Sequence, residues 1–566
     1  MNFSVANENT AIVDTSFYTP AKKPLRAPLG GDVFFSARRA QPEAAQIAKA
    51  FNANRIEWVY STDFGYVDSL KLKGFITGLT LNANPKMEGY GYALNFDNLE
   101  IIAPWMKTWG AKWATTASPV ASSTILGQAR RLVASGADAI QFDDPELQYS
   151  ITKWGDSDFS SASLVGFQTY INRPEVSQHA IRAGLIPSST ENYKSFLIRT
   201  HGVKSAADYI LRKKSFPSTV VWEKYLMTSV RDFHVSLKKL LATEKGKYTP
   251  LSFNLDLHPQ EKSLFLADLA DYVMAESSDY SVVDIALRTA TARAVPTGYV
   301  ASILPRDIQS TRHAIALHYA MGATVVAPWD TYMPDIKGVP QPRFFGRSED
   351  FSDMFKFIRR NRSLFDHSEA PAVAVIVIPI EATDLSDLRR VVGLLSKSAI
   401  PFAFEYSGGR FKNYSIDEAN LKNIETIIRI GNASDFDVKE WKKLESLHTK
   451  VRSSKDIDSS WADERVPLTI RNGRDVSAHL RVSNKMTGAI ALHLVSAPMQ
   501  EAVSAVQPME VTIKRDFLPS NLRDATIHSV DSEPIPVPLN ITKDSVSFVI
   551  QRPQLWSVVS FNVESK

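Results

Sequence analysis

Between residues 31 and 335, short apolar runs alternate with longer stretches in which apolar positions return every three or four residues. The first pattern predicts buried strands, and the second predicts amphipathic helices laid against them. Arg55-Ile-Glu-Trp-Val-Tyr60 reads as the first strand, Gly74–Leu81 as the second and Lys112–Thr116 as a weaker third. Ile125–Gly136 keeps its apolar residues on one helical face, ends in a glycine suited to a left-handed C-cap and runs into Ala137–Asp143, the fourth strand. Pro250–Asp256, Tyr272–Glu276, Gly298–Leu304 and Ala323–Trp329 follow as strands five to eight. Eight strands alternating with helices over ~300 residues is the count and length of a (β/α)₈ TIM barrel. The expected fold class is therefore α/β.

Residues 1–30, with Pro20, Lys22, Lys23, Pro24, Pro28 and Gly30, read as an extended arm, and the barrel as 31–350. The connection at 149–248 is long enough to suggest a functional element. In a barrel it would leave from the C-terminal face of the sheet, where chemistry sits. Past residue 335 the grammar changes. Phe351–Phe365 reads as a helix, Ala372–Pro379 as a fully apolar strand, Leu385–Lys397 as a helix, and Pro401–Phe404 and Thr426–Ile430 as further strands. They predict a small flavodoxin-like parallel α/β domain over 351–460, lacking the GxGxxG turn of a nucleotide site. Alternating strands such as Val476–Val482, Ala489–Val495 and Val546–Ile550 predict a C-terminal β-sandwich over 461–566.

A chain of 566 residues needs more than one core, in line with this division. Its 65 basic and 61 acidic residues leave a formal charge of +4, too small an excess for a nucleic-acid surface. No apolar run approaches the ~20 residues that span a bilayer, so neither nucleic acid nor membrane is expected as a partner. There is no cysteine, which removes disulfides, thiolate nucleophiles and Cys-bound zinc together. Residues 1–9 lack the basic and then apolar regions of a signal peptide. The expected location is the cytoplasm, or the periplasm or exterior if a signal has been removed.

Barrel strands present their C-termini to the active site, and here those ends are rich in carboxylates. Strand four ends in Asp143, Asp144 and Glu146, strand five in Asn254, Asp256 and His258, strand six in Glu276, and strand eight in Trp329 and Asp330. Glycoside hydrolysis needs two carboxyl groups flanking the bond, one protonated to release the leaving oxygen and one ionised. Crowding carboxyl groups at one mouth raises the pKa of one while another stays charged. The expectation is a glycosidase with Glu276 as nucleophile or base and Asp144 or Glu146 as general acid. Asp143, Asn254, Asp256, Trp58, Tyr66, Trp329 and Asp330 are candidates for holding the sugar, the aromatics by stacking on its faces.

Blander roles compete at each position. The Asp143–Glu146 run suits a helix cap, the aromatics suit a core, His258 beside Pro259 suits a structural role, and Arg343 and Arg347 suit surface or interdomain contacts. No metal or other cofactor is expected, since paired histidines at ligand spacing are absent. Two rivals remain open: a metal-dependent hydrolase using Asp143, Asp144, Asp256 and His258, and a non-catalytic carbohydrate-binding barrel.

The order of barrel, small α/β domain and sandwich resembles the β-galactosidases that carry a trimerisation domain. The helix Phe351–Phe365 followed by strand Ala372–Pro379 resembles their passage out of the barrel. Gln141-Phe-Asp-Asp-Pro-Glu146 is similar to their fourth-strand motif, in which an Asp-Asn-Glu run supplies the acid/base. Here Asp144 stands for the Asn, Pro145 for the Glu, and Glu146 lies one place later. The family's nucleophile is a Glu on strand seven, whereas Glu276 counts as sixth. In other barrel glycosidases an Asp on strand four is the nucleophile and a strand-six acid protonates the leaving group. The resemblance implies an exo-acting glycoside hydrolase on a galactose-containing oligo- or polysaccharide, assembled as a homo-oligomeric dimer or trimer. The slight basic excess suits a sulfated or otherwise anionic galactan.

Overall fold

The computed structural model describes residues 28–563, apart from 247, 335–339, 382–384, 422–423, 474, 484–489 and 499–507. The expected N-terminal arm lies almost wholly outside the described residues. Eight parallel strands follow one another in chain order: β1 (Phe34–Ser36), β2 (Arg55–Val59), β3 (Ile76–Asn82), β4 (Ala139–Asp143), β5 (Leu251–Phe253), β6 (Tyr272–Ser277), β7 (Gly298–Ile303) and β8 (Thr324–Val325). A parallel bridge between Phe34 and Val326 closes the ring. The alternation of apolar runs and helical patterns is thus the grammar of a TIM-like barrel.

Three strand expectations need correction. Phe34–Ser36 opens the barrel, so the segments at Arg55 and Ile76 are second and third rather than first and second. Its flanking Val33 and Ala37 are also buried, but a three-residue strand within the five residues between a Gly-Gly pair and an Ala-Arg-Arg run is too short to display a period. Lys112–Thr116 is not a barrel strand. It makes antiparallel bridges inside the connection after β3, Ala114 to Tyr92 and Lys112 to Ile102. The eighth strand stops at Val325, and Trp329 instead opens a hairpin of β9 (Trp329–Pro334) and β10 (Pro340–Phe345).

The barrel interior is filled by Phe34, Trp58, Tyr272, Met274, Val300 and Val326 among others. Below them, at the N-terminal end of β2, Arg55 binds Glu57 at 2.6 Å and Asp32 at 3.4 Å. Gly78 on β3 leaves the room for Glu57: a Cβ there would come within 2.7 Å of its side chain.

The long connection after β4 is helical, from Leu147–Trp154 through to the 27-residue helix Pro217–Thr243. It has an aromatic core of its own, in which Trp222 packs on Phe159, Phe167 and Tyr193. Beyond the barrel, strands Phe402–Ser407, Ala374–Pro379, Thr426–Arg429 and Val451–Ser453 make a parallel sheet in that spatial order. This is the 2-1-3-4 arrangement of a flavodoxin-like unit. Two antiparallel sheets of six and four strands then face each other across a shared apolar core.

Candidate active site

The mouth of the barrel is shaped first by a defect in β2. Pairing with β3 slips between Ile56 and Val59, and Trp58 takes a left-handed φ of +59°. A bulge of this kind turns a side chain that alternation would send outward. Trp58 therefore joins the barrel interior, 1% exposed. The Arg38 guanidinium lies 3.9 Å over its ring, an attraction between a cation and the π face. Arg38 follows β1 by two residues, and its Nη2 donates to Glu276 Oε1 at 2.7 Å. Burial works against the charge of Arg38, but Glu276, Tyr60 and Asp143 around it outweigh burial and hold its pKa above the usual arginine value.

Asp143 at the end of β4 is an acceptor on every side. The Tyr60 hydroxyl donates to Oδ2, Asn254 Nδ2 donates to Oδ1 at 2.7 Å, and the Asp144 N–H donates to Oδ1 at 3.1 Å. Burial and the Asp143 charge push the Tyr60 phenol well above its ordinary pKa, which keeps the hydroxyl a donor.

Asp144 is in a different situation. Among the described residues no donor bonds its carboxyl group, and burial followed by the charges of Asp143, Glu276 and Glu146 pushes its pKa well above the aspartate range. Glu146 starts the helix Leu147–Trp154 without capping it; its carboxylate is held by Lys153 Nζ at 2.6 and 2.5 Å. Burial raises the Glu146 pKa against the opposing Lys153 charge. Lys153 and Asp256 are the charges that weigh most on Glu146.

The turn that carries these acids is strained and externally held. Asp144 and Leu147 have φ of +53° and +46°. Such residues cost ~1–3 kcal/mol each and persist only where their surroundings over-determine them. Here the His234 ring, on helix Pro217–Thr243, donates from Nε2 to the Pro145 carbonyl at 2.6 Å. Burial lowers the His234 pKa to about 4, so the ring is neutral near neutral pH. Trp113 Nε1 donates to the Leu147 carbonyl at 2.8 Å.

The remaining candidates fall around this centre in other roles. Asp256 pairs with His258 at 2.9 Å and with Arg288, which also binds Asp279. Burial would raise the Asp256 pKa, but His258 and Arg288 hold it below the usual range. Among the described residues no group of three or more His, Asp or Glu side chains is arranged to hold a metal ion. Trp329 is 6% exposed, stacked on Phe35 at 4.8 Å and edge-on to Phe345. With Trp58 covered by Arg38, neither indole offers an open face for a sugar, which corrects both expectations.

Tyr66 lies half-buried on helix Phe64–Leu72 and donates to the Gln41 carbonyl at 3.3 Å. Asp330 is fully buried, with φ +52°, and accepts from Arg343 at 2.7 Å, a contact within the hairpin. Arg347 pairs with Asp350. Two residues of the centre were not among those singled out from the sequence. Tyr60 ends the strand-like run that carries Trp58, and its place was the available signal; Arg38 requires β1 to be recognised.

No protein-family model matches the sequence, and no curated protein does. Among solved structures, the chain is similar to alpha-L-fucosidase isoenzyme 2 from Paenibacillus thiaminolyticus, with TM-score 0.59 and 10% identity over 94% of this chain and 99% of that one. The fold is shared. An alpha-amylase from H.orenii matches with TM-score 0.36 and 10% identity over 93% of each chain, and a β-L-arabinopyranosidase from Geobacillus stearothermophilus with TM-score 0.35 and 10% identity over 95% of this chain and 97% of that one. At those scores the two carry no argument. The narrower resemblance to three-domain β-galactosidases finds no support in these matches.

Proposed function

We propose that this chain is a glycoside hydrolase in which Asp144 is the general acid and Glu276 the nucleophile or base. One observation carries the proposal: the carboxyl groups at the mouth are divided by their surroundings. Glu276 is paired to a buried, always-charged arginine, whereas Asp144 has no donor and sits in the field of three other acids. Asp144 therefore retains a proton to give to the glycosidic oxygen, while Glu276, oriented by its ion pair with Arg38, is placed to attack the anomeric carbon or to activate water. Asp143, held by Tyr60 and Asn254, lies beside Asp144 and adds to burial in raising its pKa. Glu146, neutralised by Lys153, is assigned to the rim rather than to the reaction.

The test is the pair Glu276→Gln and Asp144→Asn assayed on aryl glycosides. Full turnover by Glu276→Gln sinks the assignment. The finer proposal is an exo-acting enzyme on a galactose-containing saccharide. It is supported by the sequence resemblance and by the helical segment 149–248, which stands on the β4 turn through His234 and walls the mouth on that side. A panel of galactosides, fucosides and arabinosides, with sulfated galactans added, tests the sugar, and release of monosaccharide alone tests exo action. The dimer or trimer implied by the resemblance is tested by light scattering.

A further inference from the structure

Helices Val282–Ala294 and Ile308–Ala320 end at the N-terminal face of the barrel, opposite the mouth. There they meet the end of helix Ser386–Lys397 and the sandwich strand Val476–Ser483 around a cavity of about 60 Å³. One water needs ~10–15 Å³ of such space, so the cavity takes a group of roughly four or five heavy atoms. Its lining includes Arg293, His479 and Arg481, the hydroxyl residues Thr289 and Ser396, and no carboxylate.

Arg481 is 3% exposed. Its guanidinium donates to Ser368 Oγ at 3.2 Å, to the Met321 carbonyl at 3.0 Å and to the Ser368 carbonyl, all of them neutral acceptors. These use three of the five N–H groups of an arginine and leave one on each terminal nitrogen. Among the described residues no carboxylate lies within ion-pair distance, and Glu369 acts on Arg481 only from farther off. Burial, followed by the charge of Arg293, lowers the Arg481 pKa to about 9.

His479 lies directly across the sheet from His493. The His479 Nε2 and both ring nitrogens of His493 are buried without a partner. A buried cation facing only neutral dipoles and other basic groups is costly, and the missing element is a counter-charge.

We propose that this cavity binds one small tetrahedral oxyanion, phosphate or sulfate. The remaining N–H groups of Arg481, together with Arg293 and the His479 ring, would hold it, and the bound anion would fasten the sandwich to the barrel. The site lies at the opposite end of the barrel from the acids, so it stands or falls independently of the glycosidase proposal. Half-buried Ser396 is at its edge.

The test is thermal unfolding and calorimetric titration of the full chain in sodium phosphate or sulfate against sodium chloride at equal ionic strength. Phosphate and sulfate are expected to raise the unfolding temperature saturably by about 2–4 °C, with one anion per chain. Arg481→Lys, which keeps the charge but loses the fork, is expected to weaken phosphate binding about tenfold or more. Because Arg481 also holds two carbonyls and its variant can misfold, Ser396→Glu provides a second arm. It places a tethered carboxylate at the cavity edge and is expected to fold with the phosphate response gone. Equal unfolding temperatures in phosphate and chloride overturn the proposal, as does a phosphate shift that survives in Ser396→Glu.

Discussion

Arg55 on the floor of the barrel and Arg38 at its mouth are both buried guanidinium groups bound to a glutamate, but their wider surroundings differ in charge. On the floor, Glu57 binds Arg55 and accepts from the Tyr272 hydroxyl, while Asp32 accepts from Asn54 at 2.9 Å and has Arg359 and Arg362 at 3.9 and 3.8 Å. Each acid there has a cation or a donor on its oxygens. At the mouth, among the described residues, Arg38 and Lys153 are the cations bonded to the carboxyl groups of Glu276 and Glu146, and no donor bonds Asp144. Burial and the neighbouring acids push the Asp144 pKa up. The floor is a closed ion-pair set; the mouth leaves one carboxyl group unpaired. Strain follows the same division. Trp58, Asp144, Leu147 and Asp330, at strand ends or just past them, all have positive φ, whereas none of Asp32, Arg55, Glu57 and Tyr272 does.

The largest effect is expected for Glu276→Gln, which keeps size and removes charge. Its kcat on an aryl glycoside falls by ~10³-fold or more in a chain that still folds. Asp144→Asn follows, with a loss of ~10²–10⁴-fold on substrates with a poor leaving group and a much smaller loss on a dinitrophenyl glycoside, which needs no proton.

The same variant tests the retained proton through stability. Since the folded-state pKa of Asp144 is raised, its contribution is fully present below the ordinary aspartate range and is lost as pH rises through the raised value. The parent protein therefore loses stability over that window and Asp144→Asn does not; parallel denaturation curves across pH would break the comparison. On the floor, Glu57→Gln is expected to cost about 3–5 kcal/mol in urea unfolding and to leave kcat of the folded protein unchanged. A fall in kcat without a loss of stability would put the floor among the working parts. Lys153→Met, at a half-exposed rim pair, changes stability by less than about 1 kcal/mol and leaves kcat within about threefold.

Much of the frame was legible because it rests on local patterns. Strands four to seven keep their predicted places, the eighth is shorter than predicted, and the acids at the ends of β4 and β6 stand where strand-end logic put them. Trp329 packs on Phe35, and His258 pairs with Asp256. Arg38 was illegible because the three residues of β1 carry no period. Trp58 was read with the wrong function because nothing local announces a bulge. Spacing likewise leaves Asp144 and Glu146 competing for one role; their surroundings differ because a lysine seven residues past Glu146 reaches back to it.

The sequence by itself determined the alternation of strand and helix, the places where carboxylates end strands, and the absence of thiol chemistry, because each depends on residue type and local period alone. Only the tertiary structure decided how each carboxyl group is surrounded. That depends on burial and on charges brought together from distant parts of the chain: Arg38 and Glu276 meet across 238 residues, and Asn254 reaches Asp143 across 111.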